Sequence, residues 1–292
     1  MPIKIDNQIK LSDGRALGYA EYGDPQGKPV LHFHGFPSSR YEGNRPATED
    51  VATRLHARVI VVERPGFGLS DFKPGRAIAD WPADVVELAD ALYLDRFAVT
   101  GLSGGGPYVA ACAWKIPQRL VRAGIVSGVS PLDAPGAFDG MNKTDRQGYD
   151  LARRAPWLLR LVYWWVARDL RRDPAKFFSQ YAKELSEPDR AAFAQADILD
   201  VFSKMAIEAF RAGARGVTWD TVLLTRPWGF SLQDITMPVY HWQGEADNVV
   251  PPSQGRYLAK NIPNCQTKFY PNEGHISLIV NHYEEILGTI IG

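Results

Sequence analysis

The chain has 292 residues, 45% of them hydrophobic, with 33 basic against 33 acidic residues and therefore no formal net charge. This length and apolar content suit a well-buried core in one domain, or one domain with an insertion, and exclude a disordered chain. The even charge balance gives no argument for nucleic acid or for a strongly acidic partner.

From Ile3 to Tyr22 the pattern, interrupted by Ser12-Asp13-Gly14, reads as an antiparallel hairpin with an aspartate-glycine turn. Strands and helices then alternate. Strands are expected at Pro29 to Phe33, Arg58 to Val62, Phe97 to Thr100 and Leu120 to Ser127, and helices near Ala47 to His56, Ala79 to Leu92 and Gly106 to Lys115. Such alternation predicts a parallel sheet covered by helices on both faces, with its ligand at the carboxyl ends of the strands.

Between about Pro131 and Pro227 no strand pattern appears. The segment is helical in pattern, rich in Arg, and holds Trp157, Trp164, Trp165 and Trp219. An insertion at this point of an alternating fold would lie over the strand ends, so residues 131–227 are expected to form a helical cap on a core made of residues 1–130 and 228–292. The sheet resumes from Met237, with a helix near Ser253 to Asn261, a strand at Thr267 to Tyr270 and a last helix from about Ser277 to Ile291.

Four segments fall at predicted strand ends. Gly101-Leu102-Ser103-Gly104-Gly105 stands between an apolar strand and a helix, the setting of a nucleophile elbow. His34-Gly35-Phe36 ends Val30 to Phe33; Gly244-Glu245-Ala246-Asp247 ends Val239 to Trp242; Glu273-Gly274-His275 follows Lys268 to Tyr270. A serine hydroxyl is a weak nucleophile that needs a base within hydrogen-bond reach, and the base needs an acid to hold its tautomer. The order Ser103, Asp247, His275 supplies nucleophile, acid and base. Asp133, after the preceding strand, is the alternative acid. His32 and His241 sit inside strands, where a hydrogen-bonded core histidine is the usual outcome, His282 reads as a surface or packing residue, and His56 ends a helix and complements its dipole.

These segments, with Glu63-Arg64-Pro65-Gly66-Phe67-Gly68-Leu69-Ser70, make the chain similar to α/β-hydrolase-fold serine hydrolases of the capped esterase, lactonase and C–C hydrolase type. The resemblance spans nearly the whole length. It implies a mostly parallel central sheet with helices on both faces and a helical cap insertion. It also implies an oxyanion hole made by the backbone N–H groups of Phe36 and Gly104, and a structural role for His34. Glu63 departs from it, since such proteins more often carry Asp before Arg-Pro-Gly. Glycine spacing around Ser103 and in Arg64-Pro65-Gly66-Phe67-Gly68 matches neither a dinucleotide fingerprint nor a phosphate loop.

The aromatic helix Pro156 to Ala167 admits three readings: packing between cap and core, lining an apolar pocket through Trp157 and Trp164 beside Phe36, or contact with a membrane surface. The expected substrate is a small, largely apolar ester or lactone, cleaved without a cofactor or metal. C–C bond and amide hydrolysis share the frame, as does a hydrolase-derived receptor with little turnover. Cys112 and Cys265 fit neither a disulfide framework nor a metal motif. Met1-Pro2-Ile3-Lys4-Ile5-Asp6 lacks the pattern of a secretory signal, and no apolar run reaches the roughly 18 residues of a membrane span. A cytoplasmic protein with no membrane span is therefore expected, and a homodimer is compatible with it.

Overall fold

The computed structural model describes residues 5–292. It opens with a hairpin of β1 (Asn7–Lys10) and β2 (Ala16–Gly23), whose turn places Gly14 at φ +88°. That region favours glycine, which is why Asp13-Gly14 turns the chain here. Residues 3 and 4 of the expected hairpin lie outside the described residues.

Then follow β3 (Lys28–Phe33), α1 (Pro46–Arg54), β4 (Ala57–Val62), α2 (Trp81–Ala91), β5 (Phe97–Leu102), α3 (Gly106–Lys115) and β6 (Leu120–Val126). After the insertion come β7 (Val239–Gly244), α10 (Pro252–Asn261), β8 (Cys265–Tyr270) and α11 (His275–Ile291). Among the described residues these strands form one eight-stranded sheet in the order β1-β2-β4-β3-β5-β6-β7-β8. Only β1 and β2 run antiparallel to their neighbours; β3 to β8 are parallel.

Alternation along the strands sends side chains to two cores. On one face Leu31, Phe33, Ile60 and Val99 meet Val85, Leu88, Tyr108 and Val109 of α2 and α3. On the other, Val30, Val59, Val61 and Leu102 meet Leu278, Ile286 and Leu287 of α11. Burial on both faces explains why β4 and β5 read as continuous apolar runs.

Between β6 and β7 the chain forms α4 (Lys143–Arg154), α5 (Pro156–Arg172), α6 (Pro174–Tyr181), α7 (Glu187–Phe193), α8 (Ala196–Ala209) and α9 (Ala214–Leu224). Phe178, Phe193 and Phe210 of this segment pack with Phe67 of the sheet domain and Ile276 of α11. A polar lock fixes α9 more firmly. Asp220 is fully buried and pairs with Arg64, 3.0 Å away just after β4, and with Arg76, while the Tyr108 hydroxyl of α3 donates to it. Burial alone would raise this carboxyl, but Arg64 and Arg76 outweigh it and bring its pKa to about 2.

Removing one partner of a buried ion pair leaves a charge that nothing neutralises. Asp220→Ala strands two guanidinium groups and should cost about 3–5 kcal/mol in chemical denaturation. Because the folded pKa lies below the ordinary value of 3.8, the stabilisation is present above that value and should be lost as pH falls towards about 2. An acid-unfolding profile indifferent to the Asp220 change would contradict the lock.

Candidate active site

Ser103 follows β5 directly and holds φ at +54°, a left-handed conformation that a non-glycine residue adopts only when its surroundings force it. The forcing groups are close. A Cβ on Gly105 would stand 2.0 Å from the carbonyl oxygen of Phe33, and one on Gly101 2.6 Å from the carbonyl oxygen of Gly105. The turn thus folds against itself and against the end of β3, and α3 begins at Gly106 immediately after it. This places the serine side chain at the rim of a cavity and the amino end of a helix beside it.

The structure brings Asp247 and His275 together. Asp247 lies in the loop after β7, where Oδ1 accepts the backbone N–H groups of Val249 and Val250 at 2.9 and 2.8 Å. Its Oδ2 accepts from Gln243 Nε2 at 3.2 Å and lies 2.8 Å from His275 Nδ1. The imidazole donates from Nδ1 and keeps Nε2 as its acceptor. Burial works against the imidazolium, but Asp247 outweighs it, with help from Asp189 and Asp145, so the pKa of His275 lies above the ordinary 6.5. Asp133, the alternative acid, is exposed and is not the partner of His275.

His275 is the first residue of α11 rather than part of a loop before it. The reason is Asp189 of α7. Its buried carboxylate accepts the backbone N–H groups of His275, Ile276 and Ser277 at 2.8, 2.8 and 2.9 Å, satisfying donors that a helix start leaves free. The carboxylate occupies the space beside Gly274, where a Cβ would stand 2.4 Å from it.

Phe36 and Gly104 are neighbours: a Cβ on Gly104 would lie 3.1 Å from Phe36 Cβ and 3.9 Å from Phe36 N. The loop carrying Phe36 is held from three sides. Arg64 donates to the carbonyls of His34 and Gly35, the latter at 3.0 Å. Nδ1 of His34 donates to the Gly35 carbonyl at 2.9 Å, while Nε2 accepts the Arg64 backbone N–H at 3.3 Å. Burial, reinforced by Arg64, lowers the pKa of His34 to about 3, so this ring stays neutral and structural. Glu42 accepts the Gly35 N–H at 2.7 Å, and its other oxygen meets His32 Nε2, also at 2.7 Å. Burial would raise Glu42, yet the His32 contact holds it below the ordinary carboxylate value.

Glu63, the departure from the family pattern, is structural. It is buried against Arg40 at 2.8 Å, accepts the Leu69 N–H, and fills the space that Gly18 and Gly68 leave open. His241 is buried with no hydrogen-bond partner for either ring nitrogen among the described residues, and burial lowers its pKa to about 4. It is a neutral core residue, without the hydrogen bonds expected for one.

Ser103, His275 and Phe36 share a cavity of about 500 Å³. One part lies beneath the insertion, against Leu159, Tyr163, Val166 and Leu170 of α5 and Met205 of α8. The other runs down the α11 face of the sheet past Leu102, Thr100 and Val61 to Val30, roughly 15 Å below Gly35 at a strand rise of about 3.3 Å per residue. Ile279, Ile286 and Leu287 of α11 form its opposite wall.

Trp157 and Trp164 correct the sequence expectation. Phe36 lines the cavity, but the two tryptophans do not: they are 69% and 54% exposed on the outer face of α5. Leu159, Tyr163, Val166 and Leu170 recur at helical spacing and take the inward stripe, which turns residues 157, 161, 164 and 165 outward.

Residues 28–282 match the family model described as alpha/beta hydrolase fold. The chain belongs to this family. Among curated alpha/beta hydrolase relatives, a non-heme chloroperoxidase of Streptomyces lividans is 32% identical over 42% of this chain and 45% of that protein, so the chain spans less than half of that relative's length. A pimeloyl-[acyl-carrier protein] methyl ester esterase of Legionella pneumophila is 24% identical over 89% of this chain and 91% of its own. The solved enol-lactonase of Burkholderia xenovorans superposes with a TM-score of 0.70 at 17% identity, covering 97% and 99% of the two chains, which supports the alpha/beta hydrolase fold alone.

Sequence reasoning missed Asp189, Glu42 and Asp145, a cavity-lining carboxyl bonded to the Tyr181 hydroxyl at 2.8 Å and raised by burial. Asp189→Ala should lower the melting temperature, because removing a buried acceptor shared by three N–H groups costs about 1–3 kcal/mol or more. It should also broaden the His275 imidazole resonances in NMR. Sharp, unshifted His275 signals in a destabilised variant would limit Asp189 to a stabilising cap.

Proposed function

We propose that this alpha/beta hydrolase is a serine hydrolase that cleaves a small, largely apolar carboxylic ester or lactone through an acyl-enzyme. Ser103 attacks the carbonyl, His275 takes its proton through Nε2 and returns it to the leaving group, and Asp247 holds the imidazole and stabilises its charged form. The N–H groups of Phe36 and Gly104 receive the developing oxyanion. The observation that carries the reading is the 2.8 Å contact of His275 with Asp247 at the cavity onto which Ser103 opens. Residues 131–227 act as the cap in this reading.

An apolar substrate is supported by the lining. Several of its polar members are engaged with one another: His32 with Glu42 and Thr100, and Asp145 with Tyr181. Most of the remaining lining is aliphatic and aromatic, the surface that favours an acyl or aryl group. An ester bond agrees with the similarity to the methyl ester esterase of Legionella pneumophila.

Ser103→Ala should abolish labelling by a fluorophosphonate probe, and Asp247→Asn should lower turnover by up to about 10⁴ with the fold intact. Retained labelling of the serine variant would refute the nucleophile. Since His275 must be neutral to accept a proton and its pKa is raised, the acidic limb of kcat/KM should have its midpoint above 6.5. Val30→Phe, at the foot of the cavity, should reduce kcat/KM for decanoate relative to acetate esters by about 10–200-fold. Equal losses for both chain lengths would place the acyl group elsewhere.

A further inference from the structure

Helix α5 is apolar on both sides, and only its inner side is covered. Outward it shows Trp157, Trp164, Trp165 and Leu161, each more than half exposed, with Leu158 and Val162 beside them. These six are most of the exposed large hydrophobic residues described in the chain. Arginines are interleaved with them on α5 and precede it at the end of α4. Residues 153–172 contain Arg153, Arg154, Arg160, Arg168, Arg171 and Arg172 but only one acid, Asp169, in a chain whose overall charge is zero. All six arginines are exposed, and none has a carboxylate partner among the described residues. Arg168 lies over the Trp165 ring, 5.1 Å from its centre.

Helical spacing of 100° per residue puts Arg168 and Arg172 inside the tryptophan stripe, not opposite it. This arrangement selects the partner. A two-fold interface would set the same patch against itself, bringing the arginines of both copies together with a single aspartate each to offset them. A protein interface core is also depleted of charge, which this stripe is not. Tryptophan suits the boundary between apolar and aqueous phases, and arginine buries its stem while its head meets anions. We infer that the outer face of α5 is a docking surface for an anionic lipid membrane, on which the protein lies as a peripheral, interfacial binder. No helix among the described residues is long and apolar enough to cross a membrane, so α5 lies in the interface plane. The inner face of the same helix lines the cavity, which brings a lipid surface to the back of the cavity wall. This inference does not depend on the hydrolase reading.

The test is co-sedimentation of the full chain with phosphatidylglycerol vesicles and with phosphatidylcholine vesicles. The protein should pellet with the first and not the second, and added salt should weaken the binding. Arg160→Glu/Arg168→Glu/Arg172→Glu, which reverses three basic charges at the surface, and, separately, Leu161→Ser/Trp165→Ser, which removes buried apolar area, should each reduce binding at least about tenfold. Unchanged melting temperatures would show that both variants fold. Three outcomes overturn the inference: no pelleting with anionic vesicles; pelleting that both variants retain; or a dimer in light scattering that Leu161→Ser/Trp165→Ser dissociates while vesicle binding is absent.

Discussion

The site depends on one guanidinium. Arg64 is fully buried just after β4, and the protein compensates its desolvation by giving it the carbonyls of His34 and Gly35 on one side and the Asp220 carboxylate on the other. A peptide unit is planar, and its C=O and N–H point in opposite directions when it is trans. The Gly35 carbonyl and the Phe36 N–H belong to one such unit. Anchoring the carbonyl on Arg64 and His34 therefore turns the Phe36 N–H away from these two groups, and the Phe36 nitrogen lies close to Gly104. Glu42 holds the preceding amide of Gly35, so neither end of the loop residue is left to rotate.

His275 is secured by a similar device. Three consecutive amides at the start of α11 converge on Asp189, and the first belongs to His275 itself. The backbone of the imidazole-bearing residue is fixed by α7, and its ring is fixed by Asp247 from the loop after β7. Two separate carboxylates thus orient one histidine, one through the main chain and one through the ring.

Much of this was legible in the sequence because motifs at strand ends carry strong local constraints. The glycines around Ser103 are required by contacts four residues away or at the end of a neighbouring strand, and parallel strands announce themselves as buried apolar runs. Asp189 and Asp220 were invisible for the opposite reason. Each sits within a helix, where an aspartate ordinarily faces water, and its partners lie 86 and 156 positions away along the chain. The tryptophans misled because α5 has apolar residues around most of its circumference. Periodicity orients a helix only when one side is polar, and arginines interleaved with the outer tryptophans removed that contrast.

The lock on Asp220 and the cap at Asp189 also bear on how such a fold can be recombined. Both residues lie in the segment between β6 and β7, while the groups they hold, Arg64 and the start of α11, lie in the sheet domain. A foreign helical segment spliced between β6 and β7 would bring its own surface to the cavity but would leave a buried guanidinium pair and three helix-start amides uncompensated, unless it carried acids at both positions. In this chain the insertion and the sheet are therefore not interchangeable modules, and compatibility between donor and recipient reduces to two carboxylates.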